Sequence, residues 1–197
     1  MNRVIAFFDF DGTITTKDSL LEFIKYVKGD TAFYFGFFLH LPVLILYKLQ
    51  IVPNQRAKEI ILRYFFGKMN SEIFTNHCEQ FIKDKLPSLL RPKALHEIKK
   101  LKDGGAEVVI VSASPENWLK SWCDSAGVKC LATKLIVAEN KITGRIDGKN
   151  CHGAEKVNRI KASFKLEDFS SIYAYGDTRG DRHMLSLAHI RFYKPFR

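Results

Sequence analysis

Two short apolar runs in this chain each stop at an acidic loop, and that repeated ending restricts the fold more than any other feature. Residues 4–8 (VIAFF) run into Asp9-Phe10-Asp11-Gly12-Thr13, and residues 171–175 (SIYAY) run into Gly176-Asp177-Thr178-Arg179-Gly180-Asp181. Apolar runs of this length, bounded by glycine and aspartate, read as buried strands that end in loops. Residues 107–111 (EVVIV) repeat the pattern after the Gly104-Gly105 break, and residues 190–193 supply a further candidate strand. Two β-rich runs within 134–146 flank Glu139-Asn140-Lys141 and have the look of a hairpin. Strand-like and helix-like stretches alternate, so the expected class is α/β, with a Rossmann-like doubly wound parallel sheet.

Nearly a hundred residues separate the first two of these strands, and their periodicity is helical. Leu20, Leu21, Ile24 and Val27 fall at helical spacing, as do Ile60, Ile61, Tyr64 and Phe65. Pro53-Asn54, Pro87 and Pro92 punctuate the block. It is too long for a simple crossover and is expected to be a helical cap at 15–87, inserted in a core made of 1–14 and 88–197. Inside it, residues 33–47 (FYFGFFLHLPVLILY) carry only His40 as a polar side chain. A spanning helix needs about 20 apolar residues, and this stretch is interrupted by Pro42. The segment is expected either to form a buried hairpin or to dip into a bilayer interface.

Lys and Arg number 31 against 21 Asp and Glu, a formal net charge of +10. That balance favours anionic partners: nucleic acid, an acidic membrane surface or a phosphorylated small molecule. Part of it is a solvated helix face, as in Lys99-Lys100-Leu101-Lys102. Basic stripes with interleaved stacking aromatics are lacking, so no nucleic-acid partner is expected. Cys78, Cys123, Cys130 and Cys151 form no CxxC pair and read as reduced thiols. The N-terminal run passes straight into a polar motif, unlike a signal peptide, so a cytoplasmic location is expected. Peripheral contact with an anionic inner membrane face, through 33–47, is the accompanying expectation.

Four constellations carry chemistry. Asp9 and Asp11 stand two residues apart where a buried strand ends, which is where open α/β sheets collect ligands. One carboxylate can attack phosphorus and hold a cation while the other donates and then takes a proton. Gly12 permits close backbone approach there. Asp177 and Asp181, spaced i and i+4 across the second acidic loop, can complete an oxygen-rich magnesium shell; read singly, Asp181 is equally a helix cap. Ser112, with the backbone N–H groups of the following turn at Ala113, can bind phosphate oxygens, and serine there is also a common cap. Lys156 can neutralise phosphoryl charge.

These pieces, in this order, resemble the haloacid dehalogenase superfamily of phosphohydrolases: its DxDGT motif at 9–13, the strand-end Ser112, Lys156, and GDxxxD at 176–181. The stretches VSASPENWL, KITGRIDG and CHGAEKV resemble its phosphoserine-phosphatase-like branch, subfamily IB, whose helical cap is of type C1. The resemblance implies Asp9 as nucleophile forming an aspartyl-phosphate, and Asp11 as general acid/base. It implies Mg²⁺ on the Asp9 carboxylate, the Asp11 carbonyl and Asp177, with Asp181 supporting the metal or its waters. Ser112, Ala113, Gly12 and Lys156 would bind the phosphoryl group. A phosphoserine-like substrate would be gripped by an acidic residue and a cap arginine, for which Asp18 and Arg56 are the candidates. Asp18 is equally suited to capping the helix at 19–28, and Arg56 to the surface. The apolar 33–47 is instead similar to the cap of phosphatidylglycerophosphatases of that branch, which act on a phospholipid. A non-catalytic phosphate-binding module, and transfer to an acceptor other than water, are the remaining alternatives.

Overall fold

The computed structural model describes residues 3–197. Six strands, β1 (Val4–Phe8), β2 (Glu107–Pro115), β3 (Lys129–Ala138), β4 (Lys141–Asp147), β5 (Ser171–Gly176) and β6 (Ile190–Tyr193), form one sheet in the order β4-β3-β2-β1-β5-β6. Every neighbouring pair is parallel except β3 with β4. Five helices lie between β1 and β2: α1 (Ser19–Leu39), α2 (Leu41–Lys48), α3 (Asn54–Phe66), α4 (Ser71–Asp84) and α5 (Pro92–Asp103). The remaining helices are α6 (Glu116–Ala126), α7 (Ala154–Ser163) and the short α8 (Arg182–Leu185).

The period-two alternation of a strand decides which residues meet which layer. Ile5 and Phe7 turn to one face, where they join Val109, Val111, Ile172 and Ala174 under Ile160 of α7. Ala6 and Phe8 turn to the other, with Val108, Ile110 and Tyr175, beneath α5 and α6. Covering both faces is what makes the central strands read as unbroken apolar runs. In β3, residues 129–133 pair with β2 in parallel, while 134–138 turn back against β4. The hairpin expected from sequence is therefore present, and Glu139 and Asn140 both take positive φ, 50° and 56°, in its turn. Two-residue hairpin turns with positive φ at both positions match the twist of the flanking strands.

The inserted helices are tied to the core through rings. Phe23 of α1 lies 4.7 Å from Trp118 of α6 and between 5.2 and 5.5 Å from Phe66, Phe74 and Phe81. Each fully buried ring of this kind contributes about 1.5–3 kcal/mol relative to exposure. Helix α3 rests on the hairpin, where Glu59 accepts from the Ile146 N–H at 2.9 Å and Gln55 donates to the Gly148 carbonyl at 3.1 Å.

The apolar segment is not a buried hairpin. Helix α1 is broken at Gly29, which takes φ 78° and ψ 163°, and α2 follows at a 62° bend. Phe33 and Gly36 turn inward, and a Cβ on Gly36 would collide with the Phe65 ring of α3. The other side is bare: Tyr34, Phe35, Phe38, Leu39, Leu41 and Ile45 are all exposed, Phe38 at 75%. Helix α2 packs on α3 and α1, and the outer part of α1 rests on α3 through Phe37 and Gly36, so one stripe is buried and the rest is left to solvent. Among the described residues no single helix is long and apolar enough to cross a membrane; α1 and α2 reach that length only together, across the bend.

Candidate active site

Parallel pairing of β1 with β5 aligns Phe8 with Tyr175, and the Asp9 N–H donates to the Tyr175 carbonyl at 2.9 Å. The two acidic loops therefore leave the same edge of the sheet side by side. Asp9, Asp177 and Asp181 are buried, and each offers a carboxylate oxygen within 4.8 Å of the others. The glycines make this approach possible. Gly12 takes φ +80°, and a Cβ there would fall on the Asp177 carboxylate; a Cβ on Gly176 would come within 2.5 Å of that of Asp181.

Lys156, on the first turn of α7, enters this cluster fully buried. Its Nζ donates to Asp9 Oδ1 at 2.5 Å and to Asp181 Oδ1 at 2.8 Å. Burial works to strip the ammonium of its proton, but Asp9 and Asp181 outweigh it and hold Lys156 above its ordinary pKa. Burial pushes Asp9 up to about 8 against the opposing charge of Lys156, with Asp181 and Asp11 adding to the rise. Burial also raises Asp177. Asp181 stays below the usual carboxylate range because Lys156 and the Thr178 donors outweigh its burial.

The donor set suits a hard divalent cation. Asp181 Oδ2 accepts from the Asp177 N–H, the Thr178 N–H and the Thr178 hydroxyl, so both of its oxygens are engaged. Asp9 Oδ2 and Asp177 Oδ1 face only the Thr13 hydroxyl, 3.4 Å from each. Two all-oxygen ligands with the remaining positions filled by water or phosphate is how Mg²⁺ is commonly held. Carboxylates whose pKa burial has raised are those a cation would return to their charged form.

Asp11 is only partly buried and points elsewhere. Its Oδ1 accepts from the Ser19 N–H at 2.6 Å and its Oδ2 from the Ser114 hydroxyl at 2.5 Å. Ser19 Oγ in turn accepts from Trp118 Nε1 and lies 3.1 Å from Ser114 Oγ. An aspartate gripped on both oxygens beside Asp9 has the placement of a proton shuttle. Ser114 was not anticipated from sequence. Ser112 was: it is wholly buried in β2, its Oγ accepts from the Ser114 N–H, and the next two residues, Ala113 and Ser114, line the cleft. The strand pairing shifts register between Ser112 and Pro115, which turns the two following residues toward the opening.

The cleft, about 680 Å³, runs from Asp9 and Asp11 past Asp18 and Lys58 to Phe37, Leu44 and Tyr47. Asp18 lines it and also caps α1, accepting from the Leu21 N–H at 3.0 Å. Asp18 is exposed at the residue level, and desolvation of its carboxyl by the cleft walls, then the Asp11 charge, raise it to about 6. Arg56 does not line the cleft and is exposed on the far side of α3. Lys58 takes the inward position, donating to the Ala113 carbonyl at 2.5 Å, and burial lowers it to about 8. Helical phase would have found it: Asn54, Lys58 and the buried Ile61 share one stripe, and Arg56 lies off it.

Comparison with known proteins agrees with this geometry. The haloacid dehalogenase-like hydrolase family matches residues 6–186. Protein CicA of Caulobacter vibrioides is 34% identical over 98% of this chain and 87% of its own. A probable phosphatase of Mycobacterium tuberculosis is 27% identical over 99% of this chain and 70% of its own. A Bordetella pertussis protein of unknown function superposes with a TM-score of 0.84 at 21% identity, covering 97% of this chain and 89% of that one. A phospho-aspartyl intermediate analogue of phosphoserine phosphatase superposes at 0.71 with 17% identity, covering 97% and 86%. With its acidic loops on adjacent strand ends, Lys156 between them and a helical insert after β1, the chain belongs to the haloacid dehalogenase-like hydrolase family, as an enzyme of its phosphatase kind.

Proposed function

We propose that the protein is a Mg²⁺-dependent phosphomonoester hydrolase whose substrate is a lipid phosphate at an anionic membrane surface. The observation that carries it is the course of the cleft. Its polar end holds Asp9 and Lys156, its walls become apolar at Phe37, Leu44 and Tyr47, and α1 and α2 continue outward as an exposed apolar face. Lys25, Lys28 and Lys48 lie on the same two helices, and the whole chain is at +10, which suits an anionic lipid surface.

In this reading an oxygen of Asp9 attacks phosphorus in line with the leaving alkoxide, and the P–O bond to that alkoxide breaks. Asp11 gives its proton to the departing oxygen, then takes one from the water that attacks the aspartyl-phosphate and restores Asp9. Lys156 neutralises charge on the phosphoryl oxygens throughout. A magnesium ion on Asp9, Asp177 and the Asp11 carbonyl would supply further positive charge at the phosphoryl group. Ser114 and the Ser19 N–H hold the two oxygens of Asp11 in place in the cleft wall.

The test is phosphate release from phosphatidylglycerophosphate in anionic vesicles, set against phosphoserine, phosphocholine and sugar phosphates in solution. The lipid should be turned over with the higher kcat/KM, and the protein should float with anionic vesicles. Phosphoserine as the better substrate, without flotation, would overturn the lipid assignment. A specific feature favours that second reading: Asp18 and Lys58 present opposite charges in the cleft, as a zwitterionic amino acid requires. Asp9→Asn decides whether the site is catalytic at all. It should lower kcat by about a thousandfold or more; unchanged turnover would leave a phosphate-binding module.

A further inference from the structure

The segment following β6 returns to the acidic cluster by a constructed route. The Lys194 N–H donates to the Gly176 carbonyl at 2.8 Å, and Lys194 takes φ 56°, which turns the chain back over the sheet edge. Phe8 and Tyr175 stack at 4.0 Å with an interplanar angle of 3°, and Phe192 stacks on Tyr175 at 4.7 Å. Phe196 lies on the same stack, 5.8 Å from Tyr175 and 6.4 Å from Phe8. Those two rings belong to the residues immediately before Asp9 and Gly176, so the stack is registered to the site. Its product is a single contact: Arg197 Nη2 reaches Asp177 Oδ2 at 2.5 Å.

We propose that Arg197 is a positioning residue for the metal site, holding one oxygen of Asp177 so that the other is presented to the cation. The inference rests on the phosphatase assignment above, in which Asp177 is a metal ligand. Arg197 does not line the cleft, so it is not placed to touch substrate. It engages Oδ2, while Oδ1 faces the Thr13 hydroxyl and, beyond it, Asp9 Oδ2. Asp177 is almost fully buried, whereas Arg197 is about half exposed, so the guanidinium reaches in from the rim. Carboxylate ligands commonly need such an outer hydrogen bond, because an unrestrained carboxylate rotates and presents either oxygen.

The alternative is that the guanidinium competes with the cation for Asp177, and the two differ in sign. Removing a nearby positive charge tightens cation binding if charge alone matters, and loosens it if orientation matters. Binding of Mn²⁺, followed by calorimetry and by its EPR signal, reads this without turnover. Arg197→Gln should weaken Mn²⁺ binding by about 10- to 100-fold, the usual cost of losing an outer partner. Arg197→Lys should fall between the two, since it keeps charge but not the planar fork. Near-ultraviolet CD confirms the fold of each variant. Equal or tighter Mn²⁺ binding by Arg197→Gln overturns the inference. Asp177→Asn serves as the control: if it too binds Mn²⁺ normally, the metal-site assignment fails; if it does not, only the role of Arg197 is in question.

Discussion

Lys156 Nζ stands 2.5 Å from Asp9 Oδ1, and the two side chains are 2% and 9% exposed. A lysine buried that deeply is sustained by its partners, and here it has two, since Asp181 shares it. The ammonium thus links Asp9, the proposed nucleophile, to Asp181, whose other oxygen accepts from the Asp177 and Thr178 N–H groups and the Thr178 hydroxyl.

Lys156→Met should therefore destabilise the fold as well as stop turnover. Removing one member of a buried pair strands the others and costs about 3–5 kcal/mol. Urea unfolding at neutral pH measures it. A variant as stable as the wild type would show that Asp9 and Asp181 do not carry charge together.

Gly12→Ala should damage the site more than the fold. Positive φ at a residue with a Cβ costs about 1–2 kcal/mol, while the new methyl displaces the Asp177 carboxylate. Divalent-cation affinity should drop well beyond what the modest fall in Tm suggests. Normal affinity would mean that Asp177 is not a ligand.

Asp18 separates capping from charge. Asp18→Ala should cost about 1 kcal/mol through loss of the α1 cap, while Asp18→Asn keeps it. Its carboxyl is raised to about 6, so the folded state holds more protons than the unfolded one between the ordinary carboxylate range and pH 6. Wild-type stability should fall slightly as pH rises through that window, and Asp18→Asn should not share the fall. Parallel stability curves for the two would refute it.

Lys58, which lines the cleft, should set a pH limit on the binding of an anionic substrate. It is lowered to about 8, so it is charged below that pH and loses its charge as pH rises through it. KM for an anionic substrate should rise above pH 8, and Lys58→Arg should hold KM flat over the same range. A KM that rises equally in the arginine variant would assign the titration to another group.

The strand positions of the acidic motifs were legible because buried strands have a simple local signature. Val4–Phe8 lies where the apolar run put it, and Asp9 follows it directly. The hairpin announced itself through a turn between β-rich runs. The first half of β3 did not: residues 129–133 (KCLAT) are a strand because β2 offers them a parallel edge, and a partner in space leaves no local trace.

The candidate site divides along the same line. By itself the sequence determined the carboxylates, Gly12 and Lys156, since each is tied to a strand end or a helix start by a few residues of chain. Helix phase already separates Lys58 from Arg56 in the sequence, whereas tertiary structure alone decided that Ser114 meets Asp11. It also decided that 33–47 is bent into two helices with one side bare, and that Arg197 returns to Asp177 across a stack of rings. Those outcomes depend on strand register and packing between elements distant in the chain, and such distances are set only once the whole chain has folded.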